Sequence, residues 1–98
     1  MKTHTVIIFF EALPERVKTL EKLLKTFAEQ TKTQTGCLEY RIHKNAEQDR
    51  QFIVYETWQS HDDYKAQFET EAMKEFAKEL PPLLSQPFAA YFANEIHL

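Results

Sequence analysis

At 98 residues, 43% of them hydrophobic and with eight Phe and four Tyr, the chain is one domain whose own core is small for its aromatic load. A formal charge of −3, from 12 Lys and Arg against 15 Asp and Glu, gives no electrostatic reason to expect nucleic acid as a partner. The longest apolar run, Val6 to Phe10, is far too short to cross a bilayer, and a single glycine excludes the glycine-rich loops that cradle phosphates and dinucleotides.

The first residues, Met1 to His4, lack the long apolar segment of a secretory signal, and one cysteine cannot form an internal disulfide. Both features point to a reducing cytoplasm. Thr5 to Phe10 is β-branched or aromatic on both alternating sets, which predicts a strand covered on both faces. Pro14 suits the first turn of a helix. Val17, Leu20, Leu24, Phe27, Ala28 and Thr31 then recur at three- and four-residue spacing, the pattern of an amphipathic helix. Its basic residues are interleaved with Glu15, Glu21 and Glu29 and form no stripe.

Gly36, just before the next strand, is expected to supply a positive φ or a close backbone approach. Leu38, Tyr40 and Ile42 alternate with Glu39, Arg41 and His43, as in a half-exposed strand. The polar turn Asn45 to Arg50 leads into Gln51 to Trp58, so 37–58 reads as a β-hairpin. Ser60-His61-Asp62-Asp63 has the form of a capping box. The helix it starts carries Tyr64, Phe68, Met73, Phe76, Ala77 and Leu80 on its apolar face, with a break near Thr70 and an end at Pro81-Pro82. Pro87 to Ile96 reads as a last strand.

The order β-α-β-β-α-β predicts a single ferredoxin-like α+β domain over residues 1–98, a four-stranded antiparallel sheet with helices on one face. Helices cover only one face, yet Ile7 and Phe9, and Ile53 and Tyr55, make the other face apolar too. An exposed apolar face of that size predicts a homodimer packed sheet against sheet.

Residues able to carry chemistry are few. His4, His43, His61 and His97 are scattered singly, with no spacing typical of a metal site, so no metal is expected. Cys37 has no basic neighbour in sequence and reads as a small hydrophobe. Trp58 is either a core aromatic or the wall on which a planar substrate stacks. Glu56, two residues earlier on the same strand face, is placed to take a phenolic proton or to pair with Arg41 or Lys65; the structural role is the stronger reading. Tyr64 lies one turn into the helix, and Gln67 shares its face. His43 is a proton shuttle or a solvated strand residue.

The blocks Gly36-Cys37-Leu38-Glu39-Tyr40 and Glu56-Thr57-Trp58-Gln59-Ser60 give the chain its resemblance to the antibiotic biosynthesis monooxygenase (ABM) domain family, of the dimeric α+β barrel type. That resemblance implies a homodimer that oxidises a small phenolic or quinol-like molecule with molecular oxygen, using neither metal nor flavin. It implies Trp58, Tyr64, His43 and Gln67 as catalytic residues, with Tyr40, Glu56, Phe68 and Phe76 against the substrate. No nucleic acid or membrane partner is implied.

The family pattern is broken at one place. Where many members carry two histidines in the helix after Glu-x-Trp, this chain has Gln67 and Ala72, and Glu71 stands for a proline. Glutamine cannot act as a base. Ala77 occupies the position of the iron-binding histidine in heme-degrading relatives, which disfavours that activity. Two alternatives stay open: an isomerase or cyclase of a small carbonyl compound, and a protein that binds a small aromatic molecule without turning it over.

Overall fold

Strand register decides which of the two apolar sets meets the helices. In the computed structural model, which describes residues 3–98, β1 (His4–Glu11) runs antiparallel to β3 (Gln51–Trp58), with His4 opposite Trp58, Val6 opposite Glu56 and Phe10 opposite Phe52. Strand β2 (Cys37–Lys44) flanks β3, and β4 (Ala89–Ala93) flanks β1, giving the order β2-β3-β1-β4. This is the predicted four-stranded antiparallel α+β sheet.

Val6, Phe10, Phe52 and Val54 are buried beneath the helices. The alternate set, Ile7, Phe9, Ile53 and Tyr55, lies on the open face, and Tyr91 of β4 joins it across from Ile7.

Helix α1 (Val17–Thr31) buries Leu20, Leu24, Phe27 and Ala28 against the sheet, as its periodicity requires. Pro14 falls in a short 3-10 turn immediately before it. The second helical region is two helices: α2 (His61–Ala66) and α3 (Glu71–Glu79). The break expected near Thr70 arises because Thr70 caps α3, its Oγ1 accepting the Met73 N–H at 3.1 Å. Phe76 of α3 and Leu80, just past its end, join Leu20, Leu24, Phe27, Phe10 and Phe52 in the main core.

Two expectations need correction. The last strand spans only 89–93, paired with β1 from Phe9↔Ala89 to Thr5↔Ala93; Pro87, which has no N–H to give a ladder, lies outside it. Leu38 is not on the core face: a bulge between Cys37 and Glu39 leaves it unpaired and 54% exposed. Cys37 takes the position opposite Trp58 instead. The reading of the first residues includes Met1 and Lys2, which lie outside the described residues.

The end of the sheet near Trp58 is tied down by the glycine. Gly36 adopts φ +85°, and its carbonyl accepts the Gln59 N–H at 2.7 Å. Ser60 caps α2 as predicted, its Oγ accepting the Asp63 N–H at 3.1 Å and donating to Asp63 Oδ2 at 3.0 Å. That bond holds the Asp63 side chain directly over Gly36, where an added Cβ would overlap it. The approach fixes α2 above the ends of β1 and β3. Gly36→Ala combines a left-handed backbone with this overlap, so it should lower unfolding free energy by about 2–3 kcal/mol in a denaturant titration. Adding Asp63→Ala should recover part of the loss; an unchanged midpoint for Gly36→Ala would refute this account.

Candidate functional site

Glu56 is a carboxylic acid that the fold takes out of water. Strand alternation points it, with Trp58, toward the helices, where it is 2% exposed and Trp58 is fully buried. The Trp58 indole Nε1–H donates to Glu56 Oε1 at 2.8 Å, and Gln67 Nε2 donates to the same oxygen at 3.3 Å. Among the described residues, none donates to Oε2 and no cation pairs with the carboxylate. The expected alternatives, pairing with Arg41 or Lys65, are not realised: Arg41 lies on the open face and pairs with Glu39 at 2.9 Å.

A buried carboxylate facing only neutral donors is costly to ionise. Burial therefore raises the Glu56 pKa above 4.5, against the opposing effect of the bonds from Trp58 and Gln67. The same burial, with Glu56 nearby, raises both Tyr64 and Tyr40 above the ordinary phenol. Cys37 is pushed up to about 11, chiefly by burial and then by Glu56, so its thiol is no nucleophile.

Around this polar centre stands a shell of rings. Tyr64 of α2 is its hub: its ring centroid lies 6.4 Å from Trp58, 5.3 Å from Phe68, 5.7 Å from Phe92, 4.8 Å from His4 and 6.0 Å from His61. Phe68 and Phe92 are 46% and 64% exposed, so the shell opens to solvent on their side. A flat apolar wall beside a buried carboxyl group suits a small planar molecule carrying a hydroxyl. The described residues offer no group of three or more His, Cys, Asp or Glu that could hold a metal ion. Among the described residues, no helix is long and apolar enough to cross a membrane.

The structure brings together five of the eight residues singled out in the sequence: Trp58, Glu56, Gln67, Tyr64 and Phe68. Tyr40 lies opposite Glu56 across the β2–β3 pairing, its ring 6.0 Å from Phe27. Phe76 belongs to the main core, stacked on Phe27 at 4.3 Å. His43 is exposed on the other face of the sheet, opposite Ile53. Strand alternation separates it from the Trp58 side.

Sequence reading missed His4, His61 and Phe92. The His4 and His61 rings meet edge to face at 4.7 Å although 57 positions apart in the chain. Alternation on β1 carried the only available signal, since it puts His4 on the face of Val6 and Phe10.

The pH behaviour of Glu56 follows from its raised pKa. In the unfolded chain it ionises near 4.5, whereas the folded state holds its proton to higher pH. Its contribution to stability is thus whole below about pH 4.5 and is lost as pH rises through the folded value. Glu56→Gln keeps the acceptor for Trp58 and Gln67 but cannot ionise. Its stability relative to wild type should therefore increase as pH rises above about 4.5 in denaturant unfolding. Parallel pH dependences would contradict this. Glu56→Ala, which leaves two buried donors unpaired, should cost roughly 2–5 kcal/mol.

Residues 3–79 match the family model for antibiotic biosynthesis monooxygenases. An uncharacterized Synechocystis protein, sll1783, is 27% identical over 74 residues, 76% of this chain; the chain spans about half the length of that curated relative. PA3566 from Pseudomonas aeruginosa has a similar structure, with a TM-score of 0.92 at 21% identity over 99% of this chain and 97% of that one. So has Rv0793 from Mycobacterium tuberculosis, with a TM-score of 0.91 at 19% identity over 98% and 97%. At such identities these likenesses establish the fold alone. The family match covers most of the chain, including Glu56, Trp58, Tyr64 and Gln67, and the chain belongs to the antibiotic biosynthesis monooxygenase family.

Proposed function

We propose that this protein is a monooxygenase that oxidises a small phenolic or quinol-like molecule with molecular oxygen, without metal or flavin. The observation that carries the reading is the buried Glu56, hydrogen-bonded to Trp58 and Gln67 and walled by Tyr64 and Phe68.

In such a reaction the substrate supplies the electrons. Its phenolic O–H loses a proton, and the phenolate passes one electron to oxygen, giving a phenoxyl radical and superoxide. The two combine at a ring carbon to form a peroxide, which is protonated. Loss of the carbon-bound hydrogen then breaks the O–O bond, releasing water and leaving a carbonyl. For an anthrone-like substrate the sum is CH2 plus O2 giving C=O plus H2O.

The protein's share is electrostatic and steric. Burial favours the protonated form of Glu56, and in that form its O–H would be donated through the oxygen that no side chain engages, favouring the substrate oxyanion in a water-poor site. Trp58 and Tyr64 hold the ring. Gln67 orients Glu56 and moves no proton, as glutamine must.

We also infer that two copies pair through the open sheet face. Ile7, Phe9, Ile53, Tyr55 and Tyr91 form a continuous apolar surface there, with Phe9 and Tyr91 about half exposed in the single chain. A second reading, ligand binding without turnover, is favoured by Gln67 and Ala72 standing at the family's histidine positions.

Chelator-treated protein should consume oxygen above the autoxidation background with naphthoquinols or anthrone-like phenols, and Trp58→Phe should lower that rate at least about tenfold. Saturable binding of the same compounds with no uptake under any condition would favour the second reading. Sedimentation at micromolar concentration should give twice the 11.6 kDa chain mass, and a stable monomer would refute the pairing.

A further inference from the structure

We propose that His4 is the proton-accepting residue of this site. The proposal rests on the monooxygenase reading above and supplies what that reading lacks, an assigned proton acceptor, since Glu56 is already engaged by Trp58 and Gln67 and glutamine cannot serve. His4 is the first residue of β1, opposite Trp58 and on the same sheet face as Glu56, which sits diagonally across on β3.

Its Nε2 is out of contact with solvent and has no hydrogen-bond partner among the described residues. A buried unpaired ring nitrogen is unfavourable, and a substrate hydroxyl would relieve it. The His4 ring is packed among His61 at 4.7 Å, Tyr64 at 4.8 Å and Phe92 at 5.1 Å. Phe92 lies on the edge strand and is mostly exposed, so it is the wall that can turn aside to admit a planar ring.

The surroundings also set the protonation state. The titratable groups facing His4 are His61 and Tyr64 of α2 and Glu56 of β3, while β4 presents only Phe92. Burial, then the like charge of His61, lowers the His4 pKa below 6.5, which favours the neutral imidazole, the form able to accept a proton.

In the step assigned to it, the substrate O–H bond breaks and an N–H bond forms at His4 Nε2, leaving the electron pair on the substrate oxygen. Molecular oxygen is the oxidant. The imidazolium then returns that proton to the distal peroxide oxygen, so His4 ends as it began.

The test is oxygen uptake with a naphthoquinol across pH, paired with the quenching of Trp58 fluorescence by the same compound without oxygen. Wild-type kcat/KM should fall as pH drops through a value below 6.5. His4→Gln should lose that acid limb and about a hundredfold in kcat while binding the quinol within about threefold of wild type. His61→Gln, which removes only the neighbouring charge, should keep the limb but move it upward. A His4→Gln enzyme within about threefold of wild type in kcat, with the acid limb intact, would overturn the role of His4 and leave the monooxygenase reading standing. No uptake and no quenching in wild type would overturn that reading and the role of His4 with it.

Discussion

One constraint organises this molecule: a carboxylic acid buried with only neutral partners. Glu56 reaches the interior because it sits on the same strand face as Phe52, Val54 and Trp58, which cannot face water without cost. Once inside, it must be satisfied, and the indole N–H of Trp58 and the amide of Gln67 do this through one oxygen. Those bonds orient Trp58 and draw the end of α2 onto the sheet. Tyr64, held between them, gathers the remaining rings. Removing the acid would leave the indole and the amide unpaired together, so the site is a single unit.

The sheet divides its two faces between two tasks. On the helix side, α1 and α3 close over Phe10 and Phe52 and build the core, while the short α2 covers the other end and leaves Phe68 and Phe92 partly open. On the far side, the apolar rows of β1, β3 and β4 carry no helix. A sheet with helices on one face can remain soluble with such a surface only if something covers it, and a second copy offers a matching flat apolar face. The site and the proposed pairing surface thus share strands but no side chains. A change on the open face reaches the site only through the backbone of β1 and β3.

Much of the fold was legible in the sequence because it depends on local periodicity. Leu20, Leu24 and Phe27 marked α1, Ser60 marked the start of α2, and the alternation after Gln51 put Glu56 and Trp58 on one face. What could not be read there depends on long-range register. His4 meets His61 only because β1 pairs with β3 at Trp58 and α2 is seated on Gly36 by Asp63. The bulge that removes Leu38 from the core has no signature in the residues around it. His43 looked suitable by chemistry, but strand parity puts it behind the sheet. Phe76 looked like part of a substrate wall, yet its helix begins anew at Thr70 and faces Phe27.

Trp58 is the only tryptophan in the chain, so its indole N–H gives a single, unambiguous nuclear magnetic resonance signal inside the site. The most direct test of the account is to follow that signal while adding a phenol that cannot be oxidised further. The account predicts a saturable shift that weakens in Tyr64→Ala, because the ligand would stack beside the indole and alter its bond to Glu56. A signal that stays unmoved by any small planar phenol at saturating concentration would mean that the Glu56–Trp58 centre is core packing and that the site lies elsewhere.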